Sequence, residues 1–556
     1  MHWPCVNEVP SFAHSQDGPI RLRRACRIPG VTIESASVSR RLLACASGLL
    51  AGFAALAAAE LAAAAVRPEA GPVTAVGGRV VDGTPAPVKD WAIRQFGTSD
   101  KLVLQLGIVT VLSVFAVVLG LLALRHRRAA TVGVLLFGVT GAAAALGRPD
   151  SESWADALPS VVGALAGSAL LYLLAGRLAV SRGIAPGSPA GAGDWDRRGF
   201  LIAASAAAAA SAGATVLGRE LASARSGNAL ASRAAVRLPP SGSPARSVPS
   251  GAVLRVPGLK PFITPNKDFY RVDTALVVPK VDAAAWRLRL HGKGVRRPFA
   301  LSFEDLLERE LIERDITLTC VSNEVGGPYV GNARWTGVRL ASLLREAGVK
   351  PPSRGGPADQ LVSRSVDGMT LGTPVEDVMD GRDALLAVGM NGRPLPFEHG
   401  FPVRMVVPGL YGYVSACKWI EDIELTTFAD YDPYWVKRDW ARKAPVKTQS
   451  RIDTPKPFAR PKPGTVMVAG VAWAQHRGID SVEIRVDDGP WEPVDLAAEH
   501  TTDTWRQWSF PWNATPGSHT LTVRATDRTG ETQTDRRTRT VPDGASGRHS
   551  VLVTVD

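Results

Sequence analysis

The sequence predicts a multi-domain chain: an N-terminal α-helical transmembrane bundle, a central α+β domain and a C-terminal immunoglobulin-like β-sandwich. Three observations carry that prediction. Apolar stretches long enough to cross a bilayer recur up to residue 218. From about residue 255, Trp, Tyr and Phe appear and short apolar runs mix strand and helix patterns. Beyond residue 465, short strand patterns alternate with turns and helix signals are weak. A length of 556 residues accommodates three or more such units.

The apolar stretches lie at about 42–66, 102–124, 129–147, 158–180 and 200–218, which makes 42–218 a membrane domain of about five spans. Glu60, inside the first, is expected to face other helices. Residues 1–41 read as a disordered cytoplasmic N-terminus with six Arg against three acids. Arg125, Arg127 and Arg128 follow the second span, and Arg177, Arg182, Arg197 and Arg198 flank the fourth and fifth. The loop at 148–157 is net acidic. The positive-inside rule then places the N-terminus inside and everything after residue 218 outside: a multi-pass cell-membrane protein, in contact with membrane lipid, with its soluble half extracytoplasmic. Asp196-Arg-Arg-Gly-Phe-Leu201 resembles a twin-arginine export signal; it also reads as a plain basic flank before a helix. Only His126 lies near a span, which argues against a bis-His haem in the bundle.

Residues 219–254 are rich in Ala, Ser, Arg and Pro and read as a linker. In the unit at 255–435, Ala285–Leu290 alternates like a half-buried strand. Ser302, with Asp305 three residues on, caps an expected helix over 303–312. A second helix is expected over 338–347, stopped by Gly348. Ala384–Met390 and Val403–Val407 read as buried strands. A polar, Pro- and Lys-rich connector spans 436–464, and 465–556 forms the sandwich, with strands at 466–473, 482–486, 505–510 and 519–525. The net charge of +12 lies partly in the membrane flanks and no recognition module is visible, so no nucleic-acid partner is expected.

The five cysteines, at 5, 26, 45, 320 and 417, contain no CxxC, which argues against a zinc ribbon, an iron–sulfur cluster or a disulfide scaffold. Cys320 ends the alternating run Asp315–Cys320 and opens a polar, Gly-rich turn. A lone thiol there is well placed to give one soft thiolate to a metal.

Several stretches, taken in order, resemble the sulfite oxidase family of molybdenum enzymes. They are Asn266–Tyr270, Thr317–Asn323, Gly331–Val338, Met390–Pro396, His399–Arg404, Val407–Gly409 and Lys418–Ile420. The resemblance implies a Mo–molybdopterin cofactor and places Cys320 on the cysteine that ligates molybdenum. It implies that His399 and Arg404 bind the pterin, and that Ala416, Cys417 and Lys418 close on the cofactor phosphate. Asn266, Phe269 and Tyr270 resemble an entry loop that lines the cofactor in a sulfoxide-reducing branch, and Ser365 a hydroxyl that contacts the pterin there. Arg334 is expected to shape the substrate pocket, or to pack around the following helix. Trp440 stands where sulfite oxidases carry an active-site tyrosine. The tail from 465 is similar to the family's second domain, a module often used for dimerisation, so a homodimer is expected.

Two departures bear on substrate. Glu324 and Val325 stand where sulfite oxidases have a basic stretch, and Asp273 falls close to an arginine position. An acid there would repel a dianion. The expectation is a membrane-anchored oxidoreductase transferring an oxygen atom to or from a small sulfur compound, sulfite or sulfoxide in type, with a separate electron partner, quinone or cytochrome. The alternative is a membrane-tethered binding or sensor protein that keeps the fold without turnover.

Overall fold

The computed structural model describes residues 31–67, 70–84, 88, 91, 95–96, 100–148, 151, 153–178, 197–275 and 277–556. Of the expected disordered N-terminus, residues 1–30 lie outside these, as does Asp196 of the Arg-Arg run, whereas residues 31–41 are a correction: they form the first turns of a helix.

Among the described residues of the N-terminal half, six α-helices stand out: α1 (Val31–Ala65), α2 (Pro72–Gly83), α3 (Asp100–Ala123), α4 (Arg127–Leu146), α5 (Leu158–Leu178) and α6 (Arg197–Ala235). Five are long and apolar enough to cross a membrane, over Val38–Ala65, Leu102–Ala123, Arg127–Leu146, Trp154–Leu178 and Arg198–Ala235. Small residues let them approach closely. A Cβ on Gly48 of α1 would lie 1.9 Å from the Ala116 carbonyl oxygen of α3, and one on Gly120 2.2 Å from that of Ala44. Glu60, expected among helices, is exposed instead. The short helix α2 has no counterpart in the sequence reading; at 12 residues it is too brief to span.

The expected linker is a correction. Residues 219–235 continue α6, because an Ala-rich run with Leu, Glu and Arg favours helix. The helix end is docked: Arg233 donates to the carbonyls of Leu395 (2.6 Å) and Pro394 (2.9 Å), and Ser232 Oγ accepts from the Ala283 amide (3.1 Å).

The central domain contains two sheets. The strands are β1 (Arg287–Gly292), β2 (Phe299–Ser302), β3 (Leu311–Thr319), β4 (Val330–Arg339), β5 (Gln360–Ser365), β6 (Thr370–Pro374), β7 (Leu385–Met390), β8 (Arg393–Pro394), β9 (Arg404–Val406) and β10 (Ile420–Thr426). One sheet runs β2-β1-β10-β5-β6, parallel only between β1 and β10; the other runs β3-β4-β7-β8, with β9 on β7. Four short helices cover them: α7 (Phe303–Leu307), α8 (Leu340–Glu346), α9 (Val375–Met379) and α10 (Gly412–Ser415). One core, including Trp335, Phe401 and the whole of β7, joins both sheets. Ser302 and Asp305 form a full capping box, yet α7 ends at Leu307, because Leu311 and Ile312 enter β3 and are buried. Likewise α8 starts at Leu340: Val338 and Arg339 pair with β7.

The C-terminal domain is a sandwich of two four-stranded antiparallel sheets. Its strands are β11 (Gln449–Thr454), β12 (Gly464–Trp473), β13 (Ile479–Val486), β14 (Glu492–Pro493), β15 (Asp495–Leu496), β16 (Arg506–Ala514), β17 (Gly517–Asp527) and β18 (His549–Val555). The orders are β11-β12-β16-β15 and β14-β13-β17-β18. Trp508, Val468, Ile484 and Val553 fill the space between them. Strand β11 lies within the expected connector; it is recruited by a ladder with β12.

The sandwich holds β3. Gln475 Nε2 donates to Thr317 O (3.0 Å) and Thr319 Oγ1 (2.9 Å), and the Thr317 amide donates to Asp503 O (2.9 Å). His500 Nε2 meets Asp315 Oδ2 at 2.8 Å, both side chains being buried. These bonds explain why β3 is buried along most of its length rather than on alternate residues.

Candidate active site

Strand β3 ends at Thr319 and delivers Cys320 to the wall of a cavity of about 440 Å³. The turn behind it is tied down: the Cys320 amide donates to Tyr329 O (3.0 Å), and the Ser322 amide points at Sγ at 3.4 Å. Burial pushes the thiol pKa up, against the pull of Lys418. Without a metal the thiol is neutral; a bound metal would strip its proton.

Of the residues singled out in the sequence, Tyr270, Cys320, Ser365, Arg404, Ala416, Cys417, Lys418 and Trp440 all line this one cavity. They arrive from six places: the loop before β1, the ends of β3 and β5, the start of β9, the segment between α10 and β10, and the stretch beyond β10.

Arg404 is buried and crosses the Trp335 ring at 4.9 Å. It donates one bond, to His399 O at 3.2 Å, and its Nε has no partner. Burial lowers its pKa to about 10. Ser365 Oγ is also buried without a partner. Orphaned polar groups of this kind are costly, at about 1–3 kcal/mol each, and call for a polar ligand. Lys418 Nζ donates to Asp273 Oδ2 (2.8 Å) and Glu398 O (3.1 Å). Its burial brings the pKa down to about 8, with Asp273 opposing. Cys417 is buried behind Lys418, and burial pushes its thiol up to about 12.

Asn266, Phe269 and His399 stand behind that wall rather than on it. His399 Nε2 donates to Asn266 O at 2.9 Å, which leaves Nδ1 unprotonated in the neutral ring. Burial holds its pKa down at about 4. Phe269 stacks on Tyr270 at 5.1 Å and meets His399 edge-on at 5.5 Å. Gly400, at φ 105°, lets this loop lie against the Lys418 segment, since a Cβ there would come within 3.1 Å of Lys418 Cα.

Arg334 is a correction. It pairs across β3 and β4 with Asp315, through bonds of 2.9 Å from Nε and Nη2, and does not line the cavity. Strand register turns its side chain toward the sandwich side, where Asp315 also meets His500. Glu324 is exposed and off the cavity, so it repels nothing there. Asp273 does line it, but its carboxylate sits between Arg271 Nε and Lys418 Nζ, each at 2.8 Å.

Other wall residues escaped the sequence reading: Met369, Tyr413, Tyr434 and Trp435, with Val80 and Val81 from α2 and Thr84 just past its end. Tyr434 and Trp435 lie in the stretch that supplied Trp440, so its aromatic density was the available signal. Nothing in the sequence ties α2 to a site nearly two hundred residues onward.

Among the described residues no group of three or more His, Cys, Asp or Glu could hold a bare metal ion. A single thiolate beside orphaned donors and a buried cation suits a metal carried in by a larger anionic cofactor. The fold and site therefore define a cofactor-dependent oxidoreductase.

Comparison with known proteins agrees. Residues 275–435 match the family model described as oxidoreductase molybdopterin binding domain, and 449–523 match a bacterial Ig domain. The chain is 30% identical over 319 residues to sulfite oxidase of Gallus gallus, covering 49% of this chain and 68% of that one. It is 30% identical over 290 residues to mitochondrial sulfite oxidase of Mus musculus, covering 45% and 53%. An uncharacterized oxidoreductase of Bacillus subtilis, YuiH, is 33% identical over 159 residues, covering 29% of this chain and 74% of that one. The chain thus spans about half the length of several curated relatives it matches. Among solved structures, the sulfane dehydrogenase SoxCD of Paracoccus pantotrophus aligns with a TM-score of 0.46 at 25% identity, over 53% of this chain and 82% of that one. The chain belongs to the sulfite oxidase family of molybdopterin-dependent oxidoreductases, and its cofactor is Mo–molybdopterin.

Proposed function

We propose that this protein is a membrane-anchored, extracytoplasmic enzyme that transfers an oxygen atom to or from a small, neutral organic sulfur compound of the sulfoxide type. The observation that carries the reading is the wall of the cavity that Cys320 lines. Met369, Tyr413, Trp435 and Trp440 make much of it aromatic and apolar, and of the two acids that line the cavity, Asp273 and Asp367, the first is neutralised by Arg271 and Lys418. Such a surface favours a neutral molecule over a sulfite dianion.

When bound, the cofactor supplies two-electron redox chemistry at a molybdenum held by Cys320. The chain's own residues do the rest. Arg404 and Ser365 give donors to the pterin, and Lys418 gives a cation to the terminal phosphate. His399, locked in one tautomer, holds the Asn266 loop and, through its carbonyl, Arg404. The aromatic wall orients the substrate and excludes water.

Sidedness has geometric support. Residues of α2 and the turn after α4, Gly147 and Arg148, meet the catalytic domain around Thr274 and Tyr434. Arg125, Arg127 and Arg128 lie at the opposite end of α3 and α4 from that contact. A single membrane orientation with those arginines inside therefore places the catalytic domain outside.

The test is full-length protein from a cofactor-competent host, analysed for molybdenum and assayed for sulfoxide reduction and sulfite oxidation side by side. The expected result is about one molybdenum per chain and faster turnover of the sulfoxide. Stoichiometric metal with sulfite the better substrate would overturn the substrate class. Protein without molybdenum would overturn the enzyme reading. Cys320→Ala should lose both metal and turnover, by about a hundred-fold or more in the latter.

A further inference from the structure

Val80 of α2 faces two cavities. One is the catalytic cavity; the other, of about 680 Å³, lies inside the helical bundle, among α1 to α5. Gly52, Gly138 and Gly163 leave room there, and Leu56, Leu112 and Phe137 make most of its surface apolar. Its polar features are few and uneven. The hydroxyls of Ser113 and Thr140 donate to their own helices, at Val109 O and Phe137 O, each at 2.8 Å. Ser160 differs: it is 3% exposed, lines the cavity, and its Oγ has no hydrogen-bond partner. Arg79 lines the same cavity and also the contact between the bundle and the catalytic domain.

An empty apolar cavity filled by acyl chains needs neither a hydroxyl nor a guanidinium. An unpartnered buried hydroxyl costs free energy unless a ligand accepts from it. The ligand that matches is long and apolar, with a carbonyl-bearing head that accepts hydrogen bonds without carrying charge. We propose that the bundle cavity binds a lipophilic quinone, with a ring carbonyl accepting from Ser160 Oγ and with Arg79 at the side toward the catalytic domain. This rests on the reading that the bundle lies in a membrane and that the catalytic domain moves electron pairs. The stoichiometry agrees: a quinone that takes two electrons and two protons becomes a quinol, and a quinol that gives them up can drive a reduction.

The test uses full-length protein in detergent micelles, prepared without molybdenum, titrated calorimetrically with a short-tailed naphthoquinone. Saturable binding near one per chain is expected. Ser160→Ala should weaken it roughly five-fold, the loss of one hydrogen bond. Ser113→Phe should fill the cavity and abolish binding. Val111→Phe, on a residue 65% exposed and off the cavity, should leave it unchanged. Non-saturable partition, or binding equal in all four proteins, would overturn the proposal. So would a phospholipid that mass spectrometry finds retained and that the quinone does not displace. The enzyme reading fails separately: molybdenum-loaded protein that turns over with a soluble dye but binds no quinone rejects only the quinone site. Intact quinone binding with no dye turnover rejects only the catalytic reading.

Discussion

His399 shows how one side chain's burial becomes a property of the whole protein. Its ring titrates near 4 in the folded chain, chiefly because it is buried, with Arg404 and Lys418 adding to the shift and Glu398 and the Asn266 carbonyl opposing it. In the unfolded chain it titrates near its ordinary value of about 6.5. Between those values the unfolded state binds more protons, so stability falls as pH drops from 6.5 toward 4. His549, held down to about 4 by burial and by Arg451, acts in the same direction. The urea midpoint should therefore decrease between pH 7 and pH 5, and His399→Gln should flatten part of that slope. Ser365 makes a contrasting case. As an orphaned hydroxyl it burdens the empty protein, so Ser365→Ala should leave the melting temperature of molybdenum-free protein equal or higher. If the hydroxyl contacts the cofactor, the same variant should retain less molybdenum through dialysis. Equal retention would remove Ser365 from the site.

At the scale of elements, β3 decides where Cys320 sits, and the sandwich decides where β3 sits. Gln475 reaches across to Thr317 and Thr319, the residue before Cys320. Gln475→Leu keeps the volume but removes both donors, leaving a buried carbonyl and hydroxyl short of partners, at a cost of about 1–3 kcal/mol. The expected outcome is a lower melting temperature together with reduced molybdenum content. A change in stability alone would mean that Cys320 is positioned without this clamp. The cap of α7 gives a purely local comparison: Ser302→Ala should cost about 1 kcal/mol and leave metal content untouched. Arg334 belongs with the clamp as well, since Asp315 is shared between it and His500.

For the whole molecule, the continuous helix α6 joins the two halves, and Arg233 anchors its end on the catalytic domain. With α2 forming part of the cavity wall, the N-terminal half contributes to the site itself. Reporter fusions give the expected topology a direct check. An extracytoplasmic reporter such as a periplasmic phosphatase should be active when joined after residue 556 and silent when inserted between α3 and α4. The reverse pattern would invert the proposed sidedness.

Several features could be read from the chain alone, because they depend on local chemistry. Apolar length marks the five long helices, alternation marks β1, and the Ser302–Asp305 spacing marks a cap. Motif order marks Cys320, His399, Arg404 and Lys418. The remainder depends on distant partners. Strand β11 exists because β12 offers it a ladder, and residues 219–235 are helical because an Ala-rich run leads into a docking contact. Arg334 turned away from the cavity because register across β4 set it opposite Asp315. Glu324 lost its bearing on substrate because a turn exposes it, whereas Asp273 kept a place on the wall only between two cations. The sequence by itself, through motif order, marked Cys320 as the thiol proposed to hold the metal. Only the tertiary structure decided what surrounds that thiol, since burial and the neutralisation of charge are properties of contacts between residues far apart in the chain.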